Sequence, residues 1–293
     1  MISYIRLMRP KHYLKNFLVL IPLFFSKIKD IKDLFPVIIG FFSFSIISST
    51  IYVINDIMDA EKDRKHPKKC KRPIASEKIS KQKATAFSIF LFFSAICLHC
   101  LTVKNFFSIA TMYIFLYFFI NLSYSLGLKN QPILDVTLLS SGFLLRVLYG
   151  GAISKITISH WLYLVIVTFS FYMGFGKRRG EIRLSAKKNT RNVLKKYNYE
   201  FLDKNMNIFT GLTLVFYSLW TVDKKTIDII GNDFFIWTVP LVILIFLRYS
   251  YLIEIENSDG DPVEVLFSDK MLIILVILYI LMTITFFYNN LFF

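Results

Sequence analysis

The sequence predicts an all-α polytopic membrane protein, a bundle of about nine transmembrane helices with active-site loops on the cytoplasmic side. Three observations carry that prediction. Of the 293 residues 55% are hydrophobic and 17% aromatic, and the mean hydropathy is +0.53. The apolar residues gather in runs close to the ~20 residues that cross a bilayer as a helix. The 35 Lys and Arg residues collect in a few connections between those runs. A soluble domain of this length would carry more charge and shorter apolar runs. A net charge of +15 would raise nucleic acid as the partner of a soluble chain. Set between apolar runs it reads as membrane topology, and no nucleic-acid role is expected.

The runs fall at about 15–27, 34–57, 84–103, 107–126, 133–153, 158–176, 206–222, 234–253 and 271–292. Pro22 would kink or break the first, which is short. Before it, Ser3 to Lys15 reads as an amphipathic segment at the interface, anchored by Tyr4 and Tyr13. Trp161, Tyr163, Trp220 and Trp237 stand near span ends, where aromatic side chains favour the headgroup region. Two connections are long and basic, roughly 58–83 and 177–205. A polar turn, Ser-Asp-Gly-Asp-Pro, precedes the last span. Three cysteines suggest no disulfide framework, and the four histidines show no metal-ligand spacing. The charged start lacks the small-residue site of a cleavable signal. With no repeat and no low-complexity linker, one domain over 1–293 is expected.

The chemistry concentrates at residues 55–73, NDIMDAEKDRKHPKKCKRP, where an apolar run ends. On a helix Asn55/Asp59 and Asp59/Asp63 are four apart and Asp56/Asp59 three apart, so one face carries three carboxylates and an amide. The bland alternative is a solvated helix end of mixed charge. Folding asks for no such repulsion, whereas Mg²⁺ takes one or two carboxylates plus substrate phosphates. The basic run to Arg72 then suits those phosphates. Three further clusters belong to the same side. In YSLGLKNQPILD, Gly127 and Pro132 permit a turn that puts Lys129 and Asp135 at the membrane surface. Arg146 lies inside a span, where a charge usually needs a partner or a polar cavity. Asp135, three turns away on the same face, is one candidate partner and a substrate the other. GKRRGE at 176–181 reads either as a stop-transfer anchor or as an anion pocket, with Glu181 exceeding what anchoring needs. No Gly-rich phosphate loop and no nucleophile elbow are present.

Taken together, these residues resemble the UbiA prenyltransferase superfamily of nine-helix membrane enzymes. NDIMDAEKD matches its first aspartate-rich motif, NDxxDxxxD. The second motif, normally also aspartate-rich, is here the basic GKRRGE. RPKHYLKN, HPKKCKRPIAS, YSLGLK, GFLLRVLYGGA, GKRRGE and a GDP turn are similar to one branch, the decaprenyl-phosphate phosphoribosyltransferases. That resemblance implies phosphoribosyl pyrophosphate as donor, a polyprenyl phosphate as acceptor and Mg²⁺ as cofactor. It implies that Asn55, Asp56, Asp59 and Asp63 hold the metal and the leaving diphosphate. Arg72, Lys177 and Arg178 would contact phosphate, with Lys15, Lys129, Arg146 and Glu181 as further substrate contacts. A prenyl transfer to an aromatic acceptor and a non-catalytic isoprenoid-phosphate carrier stand as alternatives. A homo-oligomer is left open.

With the N-terminus inside, the carboxylate stretch and both long basic loops face the cytoplasm of an inner-membrane protein. An impermeant thiol reagent should therefore leave Cys70 unmodified in intact cells and label it after permeabilisation. Labelling in intact cells would invert the topology.

Overall fold

A computed structural model of the chain describes residues 2–26, 34–65, 69–185, 192–255 and 262–288. Among them every regular element is helical. The helices are α1 (Ile2–Met8), α2 (Ile21–Phe24), α3 (Leu34–Arg64), α4 (Lys81–Thr102), α5 (Ile109–Leu126) and α6 (Leu134–Ser154), followed by α7 (His160–Ser185) and α8 (Tyr199–Thr221). The chain closes with α9 (Lys224–Ile230), α10 (Val239–Glu254), α11 (Pro262–Ser268) and α12 (Lys270–Tyr288). Among the described residues six stretches are long and apolar enough to cross a membrane: α3 to α6, Phe234–Glu254 and Lys270–Phe287. The protein is a multi-pass membrane protein, but nine spans are not established. α7 carries Lys-Arg-Arg-Gly-Glu-Ile-Arg in its last turns and α8 begins with Tyr-Glu-Phe-Leu-Asp-Lys-Asn, which lowers the apolar character of both.

The structure resolves into two compact units. The first comprises Met1–Phe24, Ile28–Leu138 and Leu145–Thr157, and the second Phe25–Lys27, Leu139–Leu144 and Ile158–Phe293.

In the first unit α3 is the central helix, lying along α4 and touching α5. Its middle is unusually polar for a buried helix: Ser43, Ser45, Ser48, Ser49 and Thr50 are all buried. Small residues let helices approach closely, and in lipid such packing and interhelical hydrogen bonds replace the hydrophobic drive of water. Ser43 Oγ accordingly donates to the Ala95 carbonyl of α4 (2.8 Å), and Ser48 Oγ meets the Tyr117 hydroxyl of α5 (3.0 Å). Buried His99 of α4 joins Thr111 of α5 through Nε2 (2.8 Å) and Tyr149 of α6 through Nδ1 (3.0 Å). Phe44, Tyr117 and Tyr149 fill the space between.

The start of the chain departs from expectation. Over its described residues, 15–26, the expected first span is not a continuous α-helix. Residues Pro10–Leu20 instead make a 3-10 helix of 11 residues, followed by the single turn of α2. Runs of 3-10 geometry longer than three or four residues are uncommon because their hydrogen bonds are poorer. Tertiary contacts hold this one: Tyr13 meets Ser49 (2.9 Å), and Asn16, almost fully buried, donates to Ser45 (3.0 Å). The segment read as amphipathic, Ser3 to Lys15, packs on α3 of the first unit through Tyr13.

In the second unit α7 lies along α8, and α10 touches α8 and α12. Aromatic rings dominate, with Phe171 stacked on Phe209 and Tyr172 packed on Phe246 and Tyr249. α12 leaves Ile274, Ile277 and Leu281 exposed, a face made for lipid. Between α11 and α12, Asp269 accepts from Arg248 Nε (3.1 Å) and Nη2 (2.6 Å), and from the Leu272 amide (2.7 Å). It therefore caps α12 and ties it to α10.

These bonds favour the charged carboxylate, the Arg248 contact foremost, and hold Asp269 below its ordinary value of 3.8. A depressed folded-state pKa stabilises above the unfolded value and loses that contribution as pH falls through the folded one. Asp269→Asn should thus lower the melting temperature by a few degrees at pH 7. The gap to wild type should close below the ordinary carboxylate range, as followed by thermal unfolding across pH.

Candidate active site

The carboxylate face predicted from spacing exists, carried by the last three turns of α3. It resolves into two rows. Asp56 and Asp63, seven residues apart, share one arginine: Arg72 Nη1 donates to Asp56 Oδ1 (3.0 Å) and to Asp63 Oδ2 (2.6 Å). Asn55 and Asp59, four apart, share one lysine: Lys129 Nζ donates to both Asp59 oxygens (2.8 Å each) and to Asn55 Oδ1 (3.3 Å). Asp56 takes a second cation, the guanidinium of Arg9. Three cations and three carboxylates thus interleave within the first unit.

Each cation is delivered by a local feature of the chain. Arg72 opens the turn that follows the short helix Lys69–Lys71, with the Ser76 amide bonded to its carbonyl (2.8 Å). Lys129 lies in Leu128–Asn130, a 3-10 turn set off from α5 by Gly127. Gly127 adopts φ 148°, a conformation that side-chain-bearing residues rarely take, and so redirects the chain. Arg9 sits between α1 and the 3-10 segment with φ 52°. A left-handed arginine is strained, and its guanidinium rests over the Tyr52 ring (5.0 Å to the centroid) beside Asp56.

Burial divides the acids by role. Asp56 and Asp63 are 3% and 4% exposed, so their charges need their partners. Asp59 is the open one, its side chain 22% exposed. The all-oxygen donor set of Asn55, Asp56, Asp59 and Asp63 suits a hard divalent cation. Among the described residues no three His, Cys, Asp or Glu side chains form a ready-made metal cage. A Mg²⁺ ion that keeps several waters and binds through one or two carboxylates and a phosphate does not need one.

The other expected residues distribute differently. Arg146 does not reach Asp135: eleven residues of helix separate them by about 16 Å. It is buried, donating to Asn16 Oδ1 (2.8 Å) and to the Tyr117 hydroxyl (3.1 Å), with its guanidinium over Phe44 and Tyr117. These contacts pair it within the first unit. Lys15 is half-buried beside Asn16. In the second unit GKRRGE does not follow α7 but forms its continuation. Arg178 is fully buried and donates to Glu181 (2.6 Å), one turn on. Arg179 pairs with Asp203 of α8 and lies 3.6 Å from Glu254 of α10. An open anion pocket made by all three basic residues is therefore not what this helix end presents. Lys177 is the half-buried one. Positions 66–68 of HPKKCKRP and 258–261 of the GDP turn lie outside the described residues. Sequence reasoning missed Arg9 and Asn16, although both stand in RPKHYLKN.

The chain matches the UbiA prenyltransferase family over residues 18–271. It belongs to that family. A decaprenyl-phosphate phosphoribosyltransferase of Mycolicibacterium smegmatis is 31% identical over 290 residues, covering 94% of this chain and 89% of that protein. One of Corynebacterium glutamicum is 33% identical over 282 residues, covering 94% and 84%. In structure the chain is similar to a UbiA homolog from Archaeoglobus fulgidus bound to GPP and Mg²⁺, with TM-score 0.71 over 97% of this chain and 99% of the other. At 18% identity that likeness concerns the fold.

Burial ranks the variants of this site. Asp56→Asn leaves Arg9 beside a neutral amide while Arg72 keeps Asp63, and should cost about 1–3 kcal/mol of stability, the scale of a buried polar group that loses its partner. Asp59→Asn, in the open row, should cost about 1 kcal/mol, near the value of exposed pairs. Thermal unfolding of the two purified variants checks the order.

Proposed function

We propose that the protein transfers a 5-phosphoribosyl group from phosphoribosyl pyrophosphate to a polyprenyl phosphate and releases pyrophosphate. The observation that carries this reading is the interleaved cluster of Arg9, Arg72 and Lys129 with Asp56, Asp59 and Asp63. The similarity to decaprenyl-phosphate phosphoribosyltransferases supports the choice of donor and acceptor. We infer that the two units act as one domain over 1–293, with the cluster at the cytoplasmic face of the inner membrane.

The cluster is built to exchange partners. Its cations now hold carboxylates, and a diphosphate offers the guanidiniums and the ammonium a more highly charged acceptor. Carboxylates released from those cations are then available to Mg²⁺, with Asp59 and Asn55 the more accessible pair. When bound, the metal would neutralise charge on the departing diphosphate. Arg9, Arg72 and Lys129 would do the same from the protein side, and the ring of charges would hold C1 of the ribose toward the acceptor. There an acceptor phosphate oxygen forms the new bond to C1, while the C1–oxygen bond to pyrophosphate breaks and its electron pair leaves with pyrophosphate. The acceptor phosphate is already anionic, so no proton has to be removed. We further assign phosphate contacts to Lys15 and Lys177, the latter the half-buried basic residue of its motif.

Two assays test the reading. Radiolabelled phosphoribosyl pyrophosphate with a polyprenyl phosphate and Mg²⁺ should put label into lipid. A prenyl diphosphate with an aromatic acid should not, and label only in that second mixture would replace the proposal with aromatic prenylation. Failure of both mixtures, with the protein still binding isoprenoid phosphate, would favour the carrier reading. Asp59→Asn should fold and lose about a hundredfold or more in turnover, the scale on which one transition-state contact acts.

A further inference from the structure

We propose that Arg146 is a positioning residue: from inside α6 it fixes the Pro10–Leu20 segment and thereby sets Arg9 against Asp56. The inference rests on the reading of the Asp56 cluster as the donor site.

Two independent contacts join α6 to that segment. Arg146 Nε donates to Asn16 Oδ1 (2.8 Å), while its Nη2 is held by Tyr117 (3.1 Å) and its plane lies over Phe44 and Tyr117. Four residues on, at the same face of the helix, Gly150 lets the backbone of Val19 lie directly on α6. A Cβ at Gly150 would fall on the Val19 carbonyl, with the Val19 Cα only 3.1 Å away. Asn16 and Val19 are both buried, so the segment is clamped at its inner side and cannot slide without breaking one of these contacts. Its other end is Arg9, the strained residue whose guanidinium engages Asp56. RPKHYLKN and GFLLRVLYGGA are thus two halves of one device. The 3-10 geometry is locally weak, so its placement depends on what α6 holds.

The test uses full-length protein in nanodiscs. Hydrogen exchange of peptides covering 10–20 and of peptides covering 34–64 is compared in wild type, Arg146→Met, Arg146→Lys and Gly150→Ala. Exchange over 10–20 should rise in Arg146→Met and in Gly150→Ala, with 34–64 unchanged. Arg146→Lys, which keeps a donor for Asn16, should fall between. In the transfer assay the KM for phosphoribosyl pyrophosphate should rise about tenfold in both stronger variants with kcat little changed, a loss of binding rather than of chemistry. Combined with Arg9→Ala, Arg146→Met should add no further rise in KM, since the two act along one path. Unchanged exchange over 10–20 in both stronger variants, or additive effects with Arg9→Ala, overturns the proposal. If Arg146→Met does not fold, Gly150→Ala and Arg146→Lys decide by the same readouts. If wild type transfers no phosphoribosyl group, the proposed function falls while the exchange data still judge Arg146.

Discussion

A carboxylate almost out of reach of water, Asp56, governs the architecture of the first unit. It sits near the end of an apolar helix, where an unpaired charge is expensive. The chain answers by bringing Arg9 from forty-seven residues before it and Arg72 from sixteen after it. Holding Arg9 there requires the strained turn between α1 and the 3-10 segment. Holding Arg72 requires the compact turn ahead of α4. Much of the irregular structure around α3 is thus a consequence of neutralising one acid.

The same logic explains why the polar residues of the interior form a connected set. Asn16 receives Arg146 and donates to Ser45, and Tyr117 joins Arg146 to Ser48. In a bilayer the apolar surfaces of helices gain little by meeting each other, so assembly order comes from small residues and hydrogen bonds. The serine-rich middle of α3 is where those bonds converge. Its aromatic neighbours fill volume; the serines, Asn16 and Arg146 determine which helix lies where.

How much of this was legible in the sequence follows from the range of each interaction. The carboxylate face was readable because helical spacing is local, and the turn at Gly127 because glycine and proline act on their own neighbourhood. The long apolar runs of α3 to α6 were equally plain. The partner of Arg146 was not, since same-face reasoning along α6 finds Asp135, and the true partners stand on other elements. The partners of GKRRGE were hidden for a similar reason. Composition shows three basic residues, whereas the acids that engage two of them, Glu181, Asp203 and Glu254, come from three places in the chain. The winding of the first run was not legible either, because hydropathy counts apolar residues and does not show that Asn16 serves as a hydrogen-bonding residue inside the fold.

The unusual winding of Pro10–Leu20 has a metric consequence. A 3-10 helix rises about 2.0 Å per residue, an α-helix about 1.5 Å. Between Arg9 and Asn16 that difference amounts to roughly 3.5 Å over seven steps. The stretch is therefore a ruler: it spans the distance between the interior anchor at Asn16 and the charged edge at Asp56 with the fewest residues a helix allows. Rewound as ordinary α-helix, the same eight residues would stop short, and the arginine at their tip would no longer reach the acid it was placed to meet.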